Sequence, residues 1–411
     1  MPSNGGPVRV AGPERPAARL TREAALLAVE RPRLVGAARW VWARPWTVLP
    51  LSFVAFGVLG ASNPDSDAVM FLAAGRRLLG PQGLDVFADP ELQLGPLALL
   101  LAGVVAAIAD VLGVSALFLL GAVQAVLVLV LAQAVAGRAA TRGGTSPDVA
   151  RWVLTAVLLL SGSLAEATMM GHAEEIGLGL ALAWAALSCM DGRRWSVGLV
   201  LGLAVGVKLW AILGLPLALV DRRPRAAAAR VAVALALALA LYGPFLVWGD
   251  VRTFEFVWAV SGPSTVGLAL GTAAPAGWGL RIAQGVAVLV VGAGLAWRRA
   301  EPLAVVAAVL AVRLLLDPIR FPYYSGPLLA VLVLWAWTSS AGVVRGLRVP
   351  VLVAAPVVTL APYLLPHGLQ AVVGTAVLVG VVVVATRSAL GRTRATVIHR
   401  PHLPEAAGTT T

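Results

Sequence analysis

Uncharged apolar runs recur along this chain from position 46 to position 386. Most approach the roughly 17–25 residues that a helix needs to cross the ~30 Å hydrocarbon core of a bilayer. Lipid offers no water to backbone N–H and C=O groups, so such runs must close their hydrogen bonds internally, as helices. Composition agrees: 59% of the 411 residues are hydrophobic and only 13% are charged, against about 25% charged in a soluble domain. Too little charge is left to coat a soluble core, and hydrophobicity is too high for disorder. A soluble enzyme is excluded. The expected class is an all-α polytopic integral membrane protein.

The apolar segments are 46–61, 95–111, 114–136, 152–168, 176–190, 195–207, 209–220, 231–248, 279–297, 302–316, 324–340, 350–365 and 369–386, giving about 12–13 transmembrane or half-membrane helices. Between them, Arg193-Arg194, Arg222-Arg223-Pro224-Arg225, Arg298-Arg299 and Arg345/Arg348 alternate with loops poor in arginine. This is the positive-inside pattern, so the net charge of +12 implies cytoplasmic loops and not nucleic acid. A basic N-terminal tail (1–45) and a C-terminal tail (387–411) then both lie inside, flanking one transmembrane domain, 46–386. Residues 15–33 fit either a basic amphipathic surface helix or a frayed tail. Thirteen crossings cannot join two cytoplasmic ends, so one segment must be re-entrant, fused or flat. The candidates are 195–207 with 209–220, each too short to span alone, and the pair around 152–190.

The acids are unevenly spread. Of 20 Asp and Glu residues, five (Asp65, Asp67, Asp85, Asp89, Glu91) fall in loop 62–94, which follows the first crossing and is expected outside. Within it, 69–79 suits a helix lying at the interface. A second loop, 247–278, carries Trp248, Phe254, Phe256, Trp258 and Trp278 and is also expected at the outer interface, where Trp is favoured. The single cysteine, Cys189, reads as a small buried hydrophobe. No nucleotide-binding Gly-rich loop and no HExxH zinc motif occurs, which argues against ATP-driven transport and against a nucleotide-sugar domain.

Four constellations could carry chemistry. Asn63-Pro-Asp65-Ser-Asp67 follows the first span. A desolvated carboxylate there would have a raised pKa suited to a general base, although these residues also make ordinary solvated turns. Met170-Gly-His172-Ala-Glu174-Glu175, with Glu166 nearby, puts several ionisable groups between membrane segments. It could contact substrate, bind a divalent cation, or be a polar loop. Lys208, the only lysine among 32 basic residues, stands between two half-length helices. An anionic partner would satisfy it, and snorkelling to the surface is the alternative. Finally, Arg313 and Asp317 would share a helix face just before Arg320, Tyr323 and Tyr324. These arginines can grip a phosphate bidentately, and the tyrosines equally suit interfacial anchoring.

Together these features resemble a known family. Asp67, Phe71, Gly75-Arg76, Leu79-Gly80, Val86-Phe87 and Gly95-Pro96-Leu97 resemble the first outer loop of the GT-C polyprenyl-phosphate-dependent glycosyltransferases, most closely the family 87 type of bacterial α-mannosyltransferase. Gly171-His172-x-Glu174 stands where that family often has Gly-Gln-x-Asn or Gly-Gln-x-Glu. Gly202-x-x-x-Gly206-Val-Lys208, Leu215-Pro216 and Arg222-Arg223 resemble its Lys…Pro…Arg-Arg stretch, and 317–324 its tyrosine-bearing segment. Phe71 and Phe87 replace the usual tyrosines, and His172 the common Gln.

The resemblance implies a GT-C-like domain with 62–94 as its catalytic loop, in the bacterial cytoplasmic membrane, facing outside. A sugar, mannose or another hexose or pentose, would pass from a polyprenyl-phosphate donor to a glycolipid or polysaccharide acceptor of the cell envelope, with inversion. Asp67 or Asp65 would be the base. Lys208 and Arg320 would stabilise the leaving phosphate, with His172, Glu174, Arg313, Tyr323 and Tyr324 as further substrate contacts. No cofactor is implied, and no divalent cation is expected to be required. The competing classes are a secondary transporter or lipid-linked-sugar flippase, which would usually show an internal repeat, and a membrane scaffold. No repeat is visible.

Overall fold

A computed structural model describes residues 30–273 and 275–398, with side chains up to 390. The chain divides into two units, 1–47 and 48–411. The described part of the first holds α1 (Pro32–Trp42), opened by a proline in its first turn. Most of the amphipathic segment expected at 15–33, like the ends of both basic tails, lies outside the described residues.

The second unit is helical. Among its described residues the only β-type pairing is one bridge, Trp258 to Ala276. Every apolar segment of the sequence appears as a helix. These are α2 (Leu49–Ala61), α4 (Pro96–Leu112), α5 (Ala116–Gly143), the pair α6 (Pro147–Leu160) and α7 (Ser163–Met169), α8 (Ala173–Met190), α9 (Arg194–Val207), a 3-10 segment (Leu209–Leu219), α10 (Pro224–Trp248), α12 (Trp278–Trp297), α13 (Pro302–Leu315), α14 (Gly326–Thr338), α16 (Arg348–Leu364) and α17 (His367–Ile398). Short helices α3 (Asp67–Leu78), α11 (Thr265–Leu270) and α15 (Gly342–Arg345) lie between them. The expected interfacial helix at 69–79 is α3.

Five of these helices, α5, α8, α10, α12 and α17, are each long and apolar enough to cross a membrane alone, and α6 with α7, bent by 52°, are so when taken together. The protein is an all-α, multi-pass membrane protein. In lipid an apolar helix face needs no covering, so close packing rather than water expulsion orders the bundle. α13 is buried from Leu303 to Leu314 and α14 from Gly326 to Thr338 except at Leu332, so these two are central. α10 is mostly uncovered by protein.

Long-range contacts fix the direction of the helices in the first half of the bundle. Asn63, after α2, donates to the Met169 carbonyl at 3.0 Å, and Gly60 and Gly121 abut, so α5 starts at the end of the bundle where α2 finishes. α5 finishes where Arg138 and Arg142 pair with Asp191, after α8. α4 has both its ends at the first of these faces. Gly95 N–H donates to the Val207 carbonyl at 2.8 Å, and Leu112 precedes the start of α5 by three residues. Segment 95–111 therefore does not cross. It lies against α3, where Gly75 and Gly103 meet so closely that a Cβ on Gly75 would come within 2.3 Å of the Gly103 nitrogen. The segments expected to hold the odd count are a hairpin of two short helices at 194–219 and a pair bent by 52° at 147–169. α9 and the 3-10 segment are short, about 21 and 22 Å at 1.5 and 2.0 Å per residue. They nevertheless run antiparallel between the two faces, Leu201 packing on Gly214, and meet at Lys208.

Candidate functional site

A cavity of about 410 Å³ opens at the face where α3 and α4 lie, lined among others by Asp67, His172, Glu175, Lys208, Arg313 and Tyr323. Three local devices bring these residues together. Gly171 takes φ +82, a left-handed turn that favours glycine, and a Cβ there would strike the Ala68 backbone nitrogen at 2.6 Å. The first turn of α3 therefore closes onto the α7–α8 connection. Asp67 sits in that first turn, where the helix N-terminus favours a carboxylate. Lys208 is held in an extended conformation, φ −157 and ψ 130, at the break between α9 and the 3-10 segment, so its side chain projects from the tip of that hairpin.

The charges form a row of alternating sign. Asp67 Oδ2 lies 2.8 Å from His172 Nε2, and His172 Nδ1 lies 2.9 Å from Glu174 Oε1. Lys208 Nζ follows, 3.1 Å from Glu174 and 2.8 Å from Glu175. Glu175 meets Arg313 at 3.4 Å, Arg313 approaches Asp317 at 4.0 Å, and Asp317 pairs with Arg281 at 3.0 Å. Each ring nitrogen of His172 faces a carboxylate, an arrangement served by an imidazolium donating from both. Four acids then balance four bases. Such a set tolerates burial because each charge has an opposite neighbour.

Aromatic rings clamp the cations. Tyr323 stacks on His172 at 4.5 Å and Phe71 meets it edge-on at 5.2 Å. The Arg313 guanidinium lies 3.9 Å from the Trp210 ring centre and 5.4 Å from that of Tyr324. Trp210 also donates to Glu175 at 3.2 Å.

Of the candidates read from the sequence, Asp67, His172, Glu174, Lys208, Arg313, Tyr323 and Tyr324 converge here. Asp65 does not line the cavity and is exposed, as a solvated turn residue would be. Arg320 also lies outside it, its guanidinium against Gly374, in a neighbouring apolar groove. Lys208 is already occupied by two carboxylates, which suits it to hold the row in place rather than to receive a phosphate. Glu175, named in the sequence only as part of the 170–175 cluster, belongs to the site, as do Arg281 and Trp210, which the sequence did not single out. Trp258 and Trp278 of the outer aromatic loop line the cavity as well. Among the described residues no three His, Cys, Asp or Glu side chains are grouped to hold a metal ion. His172 directs its two nitrogens to opposite sides.

The hydrogen bond from His172 holds the Asp67 carboxyl below the usual carboxylate range, outweighing partial burial. The rise expected from desolvation is thus reversed. Asp67 stays ionised down to a lower pH than a free aspartate, and its pairing with His172 is lost as pH falls through that lowered value. If Asp67 is the base, the acid limb of the rate profile lies below the ordinary aspartate range, and His172→Gln, with its weaker neutral donor, moves it upward. An unmoved limb in a folded His172→Gln protein would separate Asp67 from that titration.

A family model described as Glycosyltransferase family 87 matches residues 92–318, slightly over half of the chain. The match takes in His172, Glu174, Glu175, Lys208, Arg313 and Asp317, and stops short of Asp67 on one side and Arg320 on the other. No curated protein matches the chain.

Proposed function

Because the chain belongs to glycosyltransferase family 87, its activity is that of a membrane glycosyltransferase, and we propose that it moves a hexose or pentose, mannose foremost, from a polyprenyl-phosphate donor to a cell-envelope glycolipid or polysaccharide. The observation that carries this is Asp67, an ionised carboxylate at the edge of the cavity, oriented by His172 and backed by a buried, balanced row of charges. An acceptor hydroxyl attacks the anomeric carbon, Asp67 takes its proton, and the bond from that carbon to the phosphate oxygen breaks as polyprenyl phosphate leaves. One displacement inverts the anomeric centre.

A lipid-linked donor is supported by the groove beside the cavity. Leu328, Leu332, Val351, Val357 and Val377 from α14, α16 and α17 line it, and Phe321 borders both spaces. Arg320 borders the groove, largely desolvated, with Nη1 buried and without a hydrogen-bond partner. A phosphate would satisfy it bidentately, with the isoprenoid chain in the groove. In this reading Arg320 receives the leaving phosphate and Lys208 positions Glu174, Glu175 and His172. The arginine clusters flank the opposite face, which supports an outward-facing site in a bacterial cytoplasmic membrane.

The test is transfer from a polyprenyl-phosphate sugar in proteoliposomes. Wild type is expected to turn over. Arg320→Ala is expected to raise donor KM about tenfold to a hundredfold, since a hydrogen bond to a charged group contributes ~1.5–3 kcal/mol. Donor movement across the bilayer with no transfer to any acceptor would instead favour a flippase.

A further inference from the structure

The largest cavity described, about 860 Å³, lies at the other face of the bundle. It opens between three turns, at 189–192 after α8, 220–223 after the 3-10 segment and 297–302 between α12 and α13. Its two carboxylates are neutralised from outside it. Asp191 pairs with Arg138 and Arg142, and Asp221 with the buried Arg230 at 2.7 Å. Arg223 donates its backbone N–H to Asp221 at 3.2 Å, but the guanidinium groups of the cavity's own arginines, Arg222, Arg223 and Arg299, form no ion pair with a carboxylate among the described residues. The Arg222 guanidinium rests over the Trp297 ring at 5.0 Å, which leaves its N–H edges free.

The backbone adds an independent observation. Arg222 and Arg299 take φ +58 and +61, and they are the only non-glycine residues at positive φ among those described. The third turn of the same cavity uses Gly192 at φ +72, where the conformation has no steric cost. An L-residue there costs roughly 1–2 kcal/mol, so arginine at the other two turns keeps a side chain where glycine would fit the backbone better. Strain of this kind is found where a side chain is needed.

We propose that this cavity binds the phosphate of an anionic phospholipid headgroup. Guanidinium groups match phosphate bidentately, and basic pockets between helices at the membrane surface bind such headgroups. Val220, Trp297 and Pro302 supply an apolar wall that a lipid's glycerol and acyl region can cover and a free phosphate ion cannot use. The proposal does not depend on the glycosyltransferase reading, and its test reads binding alone.

Purified full-length protein would be titrated with phosphatidylglycerol and with phosphatidylcholine in detergent and followed by native mass spectrometry, with inorganic phosphate as competitor. Wild type is expected to retain phosphatidylglycerol at least about tenfold more tightly than phosphatidylcholine, with millimolar inorganic phosphate unable to displace it. The double variant Arg222→Gly/Arg299→Gly removes two of the cavity's three guanidinium groups while relieving the backbone. Its melting temperature is expected to be unchanged or higher and its preference lost. Retained preference in that folded variant overturns the proposal. So does full displacement by inorganic phosphate, which would make this a free-phosphate site, and so does equal binding of the two lipids to wild type.

Discussion

Asp67→Asn is expected to reduce sugar transfer by about 10²–10⁴-fold in kcat, the usual range for a lost general base, with donor KM changed little. Asparagine keeps the shape and can still accept from the protonated His172 through its amide oxygen, so the fold and the turn at Gly171 are retained. What is lost is the capacity to hold the acceptor's proton. The comparison is Asp65→Asn, two residues away and exposed, which is expected to leave the rate within about twofold of wild type, as surface substitutions generally do. If Asp67→Asn transfers at the wild-type rate while Asp65→Asn does not, the base has been misassigned.

The second large effect concerns stability. Lys208→Met fits a long unbranched chain into the same space but leaves Glu174 and Glu175 facing one another, buried, with His172 and Arg313 as their remaining cations. Removing one member of a buried ion pair typically costs about 3–5 kcal/mol. A large fall in melting temperature in detergent is therefore expected, together with lost activity. Lys208→Met/Glu175→Gln removes one charge of each sign and is expected to recover a substantial part of that stability. If Lys208→Met melts with wild type, the row does not hold this part of the bundle together.

Element by element, the helices were readable because apolar runs in lipid have no other way to satisfy their backbone. Direction was not. Segment 95–111 has the hydropathy of a span, and nothing within it says that both ends return to one face. That is decided by Gly75 against Gly103 and by the Gly95 to Val207 bond, contacts between residues distant in sequence. The site behaved likewise. Asp67, His172, Glu174 and Lys208 stood out because ionisable groups beside apolar runs are costly without a use. Which cation answers which anion depends on the fold. So the sequence assigned Lys208 to phosphate, where the structure gives it two carboxylates, and grouped Arg320 with Tyr323 although their side chains diverge. Arg281 was invisible because its partner Asp317 lies just beyond the end of α13, 36 positions on.

The balance of the eight-charge row reaches beyond the cavity. An arrangement of alternating charges has no monopole, so its field falls off faster with distance than that of a single-sign cluster, and salt screens it further over a Debye length of about 8 Å at physiological ionic strength. No long-range attraction then guides an anionic substrate from solution, unlike a cleft lined by charges of one sign. Under the proposed lipid-linked donor, capture begins elsewhere, with a lipid tail already dissolved in the leaflet and diffusing in two dimensions until its headgroup meets an unpaired guanidinium. For such an enzyme the relevant concentration is moles of donor per mole of lipid, and diluting the vesicles in buffer would leave its rate per enzyme unchanged.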